Sequence, residues 1–575
     1  MRPAVVGIVT GFLFMTASHA QVPGDRPAPN PRATRSVVMG RHGMIATSQP
    51  LASAAGLRVL REGGNAVDAA ITAAAVLSVV EPTMNGVGGD LFAIVYDAKT
   101  NRLRALNASG RSAYAATPDT FKARGLTAIP SRGVLSVSVP GVVDGWATLL
   151  AAHGTIPLAK ALAPAIDYAK SGYPVSEIIS HQWQGVERIL AADPAAAATF
   201  LPGGRAPRPG EMFANPKLAA TLSQIASGGR DVFYKGSVAA AIVADFKKRD
   251  GLLDARDFAE HRPDWIEPIS TSYRGYEVYE LPPNTQGFTA LEMLNILEGY
   301  DLKSMGHNSA AYLHLLIEAK RIAFADRAAY LADPGSVPAG VLETLISKQY
   351  AELRRKDIDQ NRTAREYKPA QLGRSSTSPA RDARWFADLT GRDLGDTIYM
   401  TVADGQGNAV SLIQSLFDDF GAGIVAGDTG IVLHNRGSLF TLEAGHPNQV
   451  APHKRPLHTL VPAFVMKDGK PWLSFGVMGG DMQPQGHVQV LLNLIDFGMN
   501  IQEAGEAARI RHSNNGVAIE SAISAAARYG LNERGHHLVD QIGQFGGFQG
   551  ILIDARTGVL MGGSDPRKDG LAIGW

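Results

Sequence analysis

Residues 395–430 read GDTIYMTVADGQGNAVSLIQSLFDDFGAGIVAGDTG. Ile398, Met400 and Val402 alternate with Tyr399, Thr401 and Ala403; Asp404-Gly405-Gln406-Gly407 turns the chain, and Ala409 to Phe417 returns it. Period-two alternation around a Gly-rich turn predicts an antiparallel hairpin. Thr397 opens its first strand, directly after Asp396. A threonine there is ordinarily just a β-branched strand residue. It is also where an N-terminal nucleophile must stand if the Asp396–Thr397 bond is cut. The cut frees an α-amine of pKa about 8, placed to act as general base for its own hydroxyl. The same hydroxyl suffices to make the cut, by attacking the Asp396 carbonyl and leaving an ester for water.

The chain around this hairpin has 575 residues, 45% hydrophobic and 19% charged, a globular composition. With 55 Lys+Arg against 54 Asp+Glu the net charge is +1, which gives no electrostatic reason to expect a nucleic acid partner. There is no cysteine, so a nucleophile must be a hydroxyl or another non-thiol group. The first twenty residues, MRPAVVGIVTGFLFMTASHA, have a basic start, an apolar run and a small-residue end. They predict a signal peptide, 1–20, and an exported (periplasmic or secreted) protein; the run is too short for a membrane span, so the mature protein is expected to have none. Residues 21–35 are Pro-rich and expected to be disordered.

Two helices are predicted over LASAAGLRVLREGGNAVDAAITAAAVLSVVEPT, the first ended by Gly63-Gly64, the second capped by Asn65 and stopped by Pro82. MNGVGGDLFAIVYD follows as a tight turn and a buried strand. Its glycines fit neither a dinucleotide nor a P-loop spacing. YRGYEVYELPP alternates as a strand, and a helix from NSAAYLHLLIEAKRIAFADRAAYLADP takes Asn308 as its cap. Residues 355–395 are polar and aperiodic, and are read as a long exposed linker. TLVPAFVMKDGKPWLSFGVMGG predicts a hairpin around Asp468-Gly469. No His or Cys cluster calls for a metal, no cofactor is implied, and no G-x-S-x-G elbow marks a serine hydrolase.

A run of segments in order then carries a resemblance: EGGNAVDAAITAAAVLSVVEPTMNGVGGDLF, SVPGVVDGW, DVFYKGSVA, YRGYEVYELPPNTQG, FADRAAYLADP, GDT with DGQGNAVS, FGAGIVAGDTGIVLHN, KRPLHTLVP, GVMGGD and GGSDPRKDGLAIGW. Over roughly 36–575 the chain resembles the γ-glutamyltransferase family (γ-glutamyltranspeptidase, glutathione hydrolase). The resemblance implies the N-terminal nucleophile hydrolase fold, an α+β four-layer αββα sandwich. It implies self-cleavage between Asp396 and Thr397 into a large subunit, 21–396, and a small catalytic subunit, 397–575, that remain a heterodimer. The nucleophile falls on Thr397, its supporting hydroxyl on Ser415, and the backbone oxyanion donors on Gly479-Gly480. The implied reaction is acyl transfer from a γ-glutamyl or related acyl amide, through an acyl-threonine ester, to water or an amine.

Departures from the family fall in substrate recognition. HNRGSLF keeps Asn435 but has Arg436 for a neutral amide and Leu439 for the acid that holds the α-ammonium. Phe417 replaces an Asn, and His458-Thr459 replace the two serines at the carboxylate. Ser109 aligns with the family's carboxylate-binding Arg, leaving Arg111 either to grip a carboxylate or to form a surface salt bridge. Arg436 is either a second carboxylate binder or a solvent-facing residue. Asp481 is expected to hold an ammonium, that of Thr397 included, or to cap the next turn. Arg111, Asn435, Arg436, His458, Thr459 and Asp481 are thus the expected substrate-binding set. The pattern is similar to the acylases of dicarboxylic acyl amides (glutaryl or oxamate type), with poor glutathione activity. The reading from another class is an unprocessed binding protein.

Overall fold

The computed structural model describes residues 33–372, 395–540 and 545–575. The expected signal peptide and residues 373–394 of the expected linker lie outside the described residues. Two seven-stranded sheets carry the architecture. One runs β14 (Leu571–Gly574), β2 (Gly43–Thr47), β8 (Gly395–Asp404), β9 (Ala409–Asp418), β3 (Asp90–Asp97), β4 (Arg102–Asn107) and β5 (Asp264–Ile266). The other runs β1 (Val38–Gly40), β13 (Leu560–Ser564), β12 (Phe548–Ile553), β11 (Lys470–Val477), β10 (Ala463–Lys467), β7 (Tyr276–Glu280) and β6 (Ile269–Tyr273). Every neighbouring pair is antiparallel.

The alternation in β8 sorts its side chains between two cores. Ile398, Met400 and Val402 pack with Ile45 and Leu412 against the helix α1 (Pro50–Arg61) and the helix α2 (Ala66–Val80). Tyr399 and Ala403 point the other way and join Phe92, Ile413, Phe464 and Ile551 between the sheets. Thr401 Oγ1 crosses the same gap to Ser474 Oγ at 2.6 Å. A third core sets Val278, Val465 and Phe475 against α3 (Gly287–Leu297), α4 (Ala310–Tyr330) and α5 (Met482–Ile495). Three apolar layers separate four structural ones: this is the αββα sandwich expected of an N-terminal nucleophile hydrolase.

Local signals explain several boundaries. All fifteen residues of α2 are buried, and Asn65 and Asp68 cap it reciprocally. Asp468 and Gly469 take φ of 51° and 71°, the left-handed pair that a two-residue hairpin needs.

Three expectations change. YRGYEVYELPP is not one strand: Arg274-Gly275 (φ 48° and 84°) folds β6 back on β7. Helix α4 is capped by Ser309, whose side chain accepts from the Tyr312 N–H, while Asn308 stands outside in the left-handed region. Residues 356–372 of the expected exposed linker are mostly exposed, but they form a pinned strap. Glu318 of α4 accepts from Thr363 Oγ1, the Ala364 N–H and Tyr367 Oη, while Ile358 and Ala370 are buried. One buried carboxylate can hold a polar segment that has no apolar period. Among the described residues no helix is long and apolar enough to cross a membrane.

Candidate active site

Thr397 is buried at the start of β8. Asp396 faces Phe417 and Ile398 faces Gln414, so Thr397 stands opposite two residues of β9, Ser415 and Leu416. This is a β-bulge, a device that re-aims a strand end. Phe417 takes φ 85°, and its N–H donates to Ser415 Oγ at 2.7 Å. On the far side of β9, Asp90 pairs with Ser415. The turn before it makes that approach possible. A Cβ on Gly89 would lie 2.5 Å from the Ser415 carbonyl oxygen, and one on Gly88 would lie 2.3 Å from that of Val432. The glycines of MNGVGGD therefore serve close backbone packing, as the sequence suggests.

Strand β11 runs out into Gly479 (φ 110°) and Gly480 (φ 55°). Among the described residues, no hydrogen bond uses the N–H of either glycine. Two adjacent backbone donors without an acceptor are suited to a developing oxyanion. A hydrogen-bond chain joins this turn to Ser415. Gln286 Nε2 donates to the carbonyls of Gly480 (3.0 Å) and Thr459 (2.8 Å). Thr459 Oγ1 accepts from Arg436 Nη1 at 2.8 Å, and Ser415 Oγ accepts from Arg436 Nη2 at 3.0 Å.

Arg436 is the unusual member. Its side chain is fully buried, and its guanidinium lies 4.6 Å from the centroid of the Phe417 ring. Two of the departures from the family pattern thus touch each other. Nε has no hydrogen-bond partner, and no carboxylate of a described residue stands within ion-pair distance. Burial pushes its pKa down to about 9, with Asp90 and Asp418 opposing, so it is cationic at neutral pH. A buried cation without an ion-pair partner is costly.

The other expected binders are spent on the protein. Asn435 Nδ2 donates to Asp418 Oδ2 (2.8 Å) and the Ser131 carbonyl (2.7 Å), and its Oδ1 accepts from the Asp418 N–H. His458 Nε2 meets Asp90 Oδ2 at 3.2 Å, and its Nδ1 accepts from the Leu460 N–H. Burial pushes the His458 ring down to about 3, helped by Arg436, so it is neutral at pH 7. Burial would raise the Asp90 carboxyl, but His434, His458 and Arg436 outweigh it and hold it well below the ordinary range. Thr459 supports Arg436.

Two members of the expected substrate-binding set are engaged by other side chains. Asp481 precedes α5 but makes no cap bond; its carboxylate takes Arg327 Nη1 (2.7 Å) and Nη2 (3.1 Å) and is also held charged by Lys320. Arg111 forms a salt bridge with Asp264 at 3.2 Å, shared with Arg455, and so takes the second of its two expected roles. Leu439 is buried with Phe288, Leu331 and Leu457, with Phe417 against them.

Gln286, Arg327 and Asp90 were not singled out in the sequence, although NTQG, FADR and GGD all lie in the matching segments. Among the described residues one cluster has metal-ligand types, His314, Glu318 and His536. It is a closed network. His314 bonds His536 and the Asp359 carbonyl, both at 2.7 Å, and Glu318 carries four donors.

Comparison with known proteins agrees with this geometry. Residues 52–575 match the family model described as gamma-glutamyltranspeptidase. The chain is 40% identical to the glutathione hydrolase-like YwrD proenzyme of Bacillus subtilis (strain 168), over 93% of this chain and 99% of that one. It is 36% identical to the acylase ACY 1 proenzyme of Pseudomonas sp. (strain SE83), over 96% and 97%. The crystal structure of cephalosporin acylase from Bacillus halodurans superposes with a TM-score of 0.87 at 41% identity, over 97% and 99%. A buried threonine hydroxyl at a bulged strand start, the two-sheet sandwich and a match across nearly the whole sequence agree: the chain belongs to the gamma-glutamyltranspeptidase family of self-processing N-terminal nucleophile hydrolases.

Proposed function

We propose that Thr397 is the nucleophile and that its acyl substrates end in a carboxylate, held by Arg436. The carrying observation is the buried Arg436 guanidinium, hydrogen-bonded to Ser415 opposite Thr397 and without an ion-pair partner. A carboxylate is the ligand that offsets a buried guanidinium through paired hydrogen bonds.

Maturation begins as Thr397 Oγ attacks the Asp396 carbonyl. The peptide C–N bond breaks to give an ester, and water hydrolyses it. The products are a large subunit, 21–396 once a signal peptide is removed on export, and a small one, 397–575. The new α-amine then takes the Thr397 hydroxyl proton as Oγ attacks the substrate amide. Gly479 and Gly480 N–H groups receive the oxyanion. The α-ammonium returns the proton to the leaving amine, and water, or an acceptor amine, releases the acyl group.

γ-Glutamyl and glutaryl groups both carry the required carboxylate and differ in the α-ammonium. Leu439, in an apolar wall, offers that ammonium nothing. Relatives named as an acylase and a cephalosporin acylase fit an acyl group other than γ-glutamyl, and one named glutathione hydrolase-like keeps γ-glutamyl amides among the substrates. Glutaryl-type acyl amides are therefore the favoured substrates.

Intact mass and N-terminal sequencing of the purified protein test the first step. Two chains are expected, the smaller beginning Thr-Ile-Tyr-Met, with Thr397→Ala leaving one chain. A wild-type protein that stays whole, or is cut elsewhere, refutes the assignment.

A further inference from the structure

Gly479 and Gly480 stand at φ 110° and 55°, a region where glycine changes conformation at little cost. Their N–H groups stay aimed only if the turn is held from outside. The backbone supplies part of that hold: at the start of α5 the Met482 N–H donates to the Gly479 carbonyl (2.9 Å) and the Gln483 N–H to the Gly480 carbonyl (3.2 Å). The Gly480 carbonyl has a second donor, a side chain 194 residues earlier in the chain: Gln286 Nε2, at 3.0 Å.

Gln286 is fully buried, and its amide is taken by three partners. Nε2 donates to the carbonyls of Gly480 and Thr459, and Oε1 accepts from Arg327 Nη1. Two carbonyls on one side and a guanidinium on the other settle which end is nitrogen, and an amide is the side chain that offers this set. A glutamate would turn an oxygen toward two carbonyl oxygens. A methionine of similar length would make none of the three bonds.

The bonds form two arms. In the first, Arg327 holds Gln286 Oε1 and also clamps the carboxylate of Asp481, the residue after Gly480, at 2.7 and 3.1 Å. One Gln–Arg pair therefore grips the chain on both sides of the Gly480–Asp481 peptide. In the second, Thr459 Oγ1 accepts from Arg436 Nη1 at 2.8 Å while its carbonyl rests on the same Gln286 amide. A single side chain thus touches the oxyanion turn and the residue that supports the acyl-site guanidinium. Gln286 and Arg327 precede Thr397 in the chain; Thr459, Gly480 and Asp481 follow it.

We infer that Gln286 is a positioning residue for acyl transfer: it holds the Gly479-Gly480 donors at one fixed separation from Arg436. An acyl group whose carboxylate lies on Arg436 then has its carbonyl oxygen at the donors. The inference rests on the roles proposed for Thr397, Arg436 and the glycine pair. Its effect falls on the transition state, because the oxygen moves as the carbon becomes tetrahedral, and donors set for the later position favour it over the ground state.

The test compares two inhibitors on the processed enzyme. Glutarate occupies the acyl site without chemistry. 4-Boronobutanoate has the same carboxylate on a chain of the same length and ends in boron. Thr397 Oγ forms a B–O bond to it, the α-amine takes the hydroxyl proton, and the boron becomes a tetrahedral anion with an oxygen at the turn. Inhibition constants are measured against glutaryl-p-nitroanilide in wild type, Gln286→Glu and Gln286→Met, with cleavage checked by mass. An inhibition constant does not depend on how much enzyme is folded, and the second variant guards against a first that does not fold at all. In both variants the boronate constant is expected to rise about 10- to 100-fold while that of glutarate stays within about twofold, and kcat is expected to fall in proportion at nearly constant KM. A boronate/glutarate ratio within twofold of wild type in both variants overturns the inference. If the two constants rise together, Gln286 supports only the acyl pocket, through Thr459. A processed wild type inhibited by neither compound sinks the acyl-site reading itself, and this inference with it.

Discussion

Arg436→Met is the sharpest test of the acyl site. Methionine keeps length and an apolar contact with Phe417 but removes the charge and the donors to Ser415 and Thr459. Those two lost hydrogen bonds burden every substrate alike, so the informative quantity is a ratio. Glutaryl-p-nitroanilide and pentanoyl-p-nitroanilide have acyl chains of equal length and differ by carboxylate against methyl. A hydrogen bond to a charged partner contributes about 1.5–3 kcal/mol, and the fully buried setting of Arg436 leaves little solvent to screen it. Taking about 2–3 kcal/mol for the carboxylate contact, at a factor of ten per about 1.4 kcal/mol, the glutaryl/pentanoyl ratio of kcat/KM falls about 30- to 150-fold. Both values come from initial rates of nitroaniline release on self-cleaved enzyme, with cleavage checked by mass. If both substrates lose activity in the same proportion, Arg436 only positions Ser415 and the carboxylate assignment is wrong.

Three further outcomes follow from particular contacts. Gly479→Ala puts a Cβ 3.2 Å from Gly546 Cα and 3.3 Å from Met482 Cβ at φ 110°, so the donor N–H moves; kcat for the nitroanilide falls about 10²- to 10³-fold with little change in KM, and an unchanged kcat removes Gly479 from the oxyanion role. Leu439→Asp sets a carboxylate among Phe288, Leu331 and Leu457; it costs about 2–4 kcal/mol of stability in denaturant unfolding and raises the γ-glutamyl/glutaryl ratio of kcat/KM, and a ratio that stays fixed refutes the place given to the α-ammonium. His458 has its pKa lowered from 6.5 to about 3, so between these values the unfolded ring binds a proton that the folded ring refuses; stability falls as pH falls through that window, by up to about 1.4 kcal/mol per pH unit, and His458→Asn is expected to flatten the dependence of Tm on pH between 6.5 and 4.5.

What could be read from the sequence was what depends on near neighbours. The alternation of Ile398, Met400 and Val402 with Tyr399 and Ala403 appears directly as two faces of β8. The capping of α2 by Asn65 and the turn at Asp468-Gly469 are likewise local. The site is assembled across long chain separations, and there the reading thinned. Asp90 meets His458 across 368 residues, and Arg327 meets Asp481 across 154. Asp481 shows the effect well. Its position before α5 suggests a cap, but a distant arginine takes the carboxylate that would have made it. The strap at 356–372 reads as a polar, aperiodic linker because its order comes from Glu318, a single residue on a helix earlier in the chain.

The sheet order also explains how a chain could be cut before Thr397 without coming apart. Strand β8, which would begin the small subunit, is hydrogen-bonded to β2 of the large part, and β9 to β3. The C-terminal β14 also pairs with β2, β13 with β1, and β10 with β7. Each sheet therefore contains strands from both parts, and the inter-sheet core draws Phe92 and Met44 from one and Tyr399, Phe464 and Ile551 from the other. Separating the parts would break five strand pairings and open all three apolar layers, which is the cost of unfolding and not of dissociation. The proposed cut would sever one bond at the edge of the core. Its effect would be local: it would free an amine beside the Thr397 hydroxyl while the shared sheets keep Ser415, Arg436 and the Gly479-Gly480 turn where they stand.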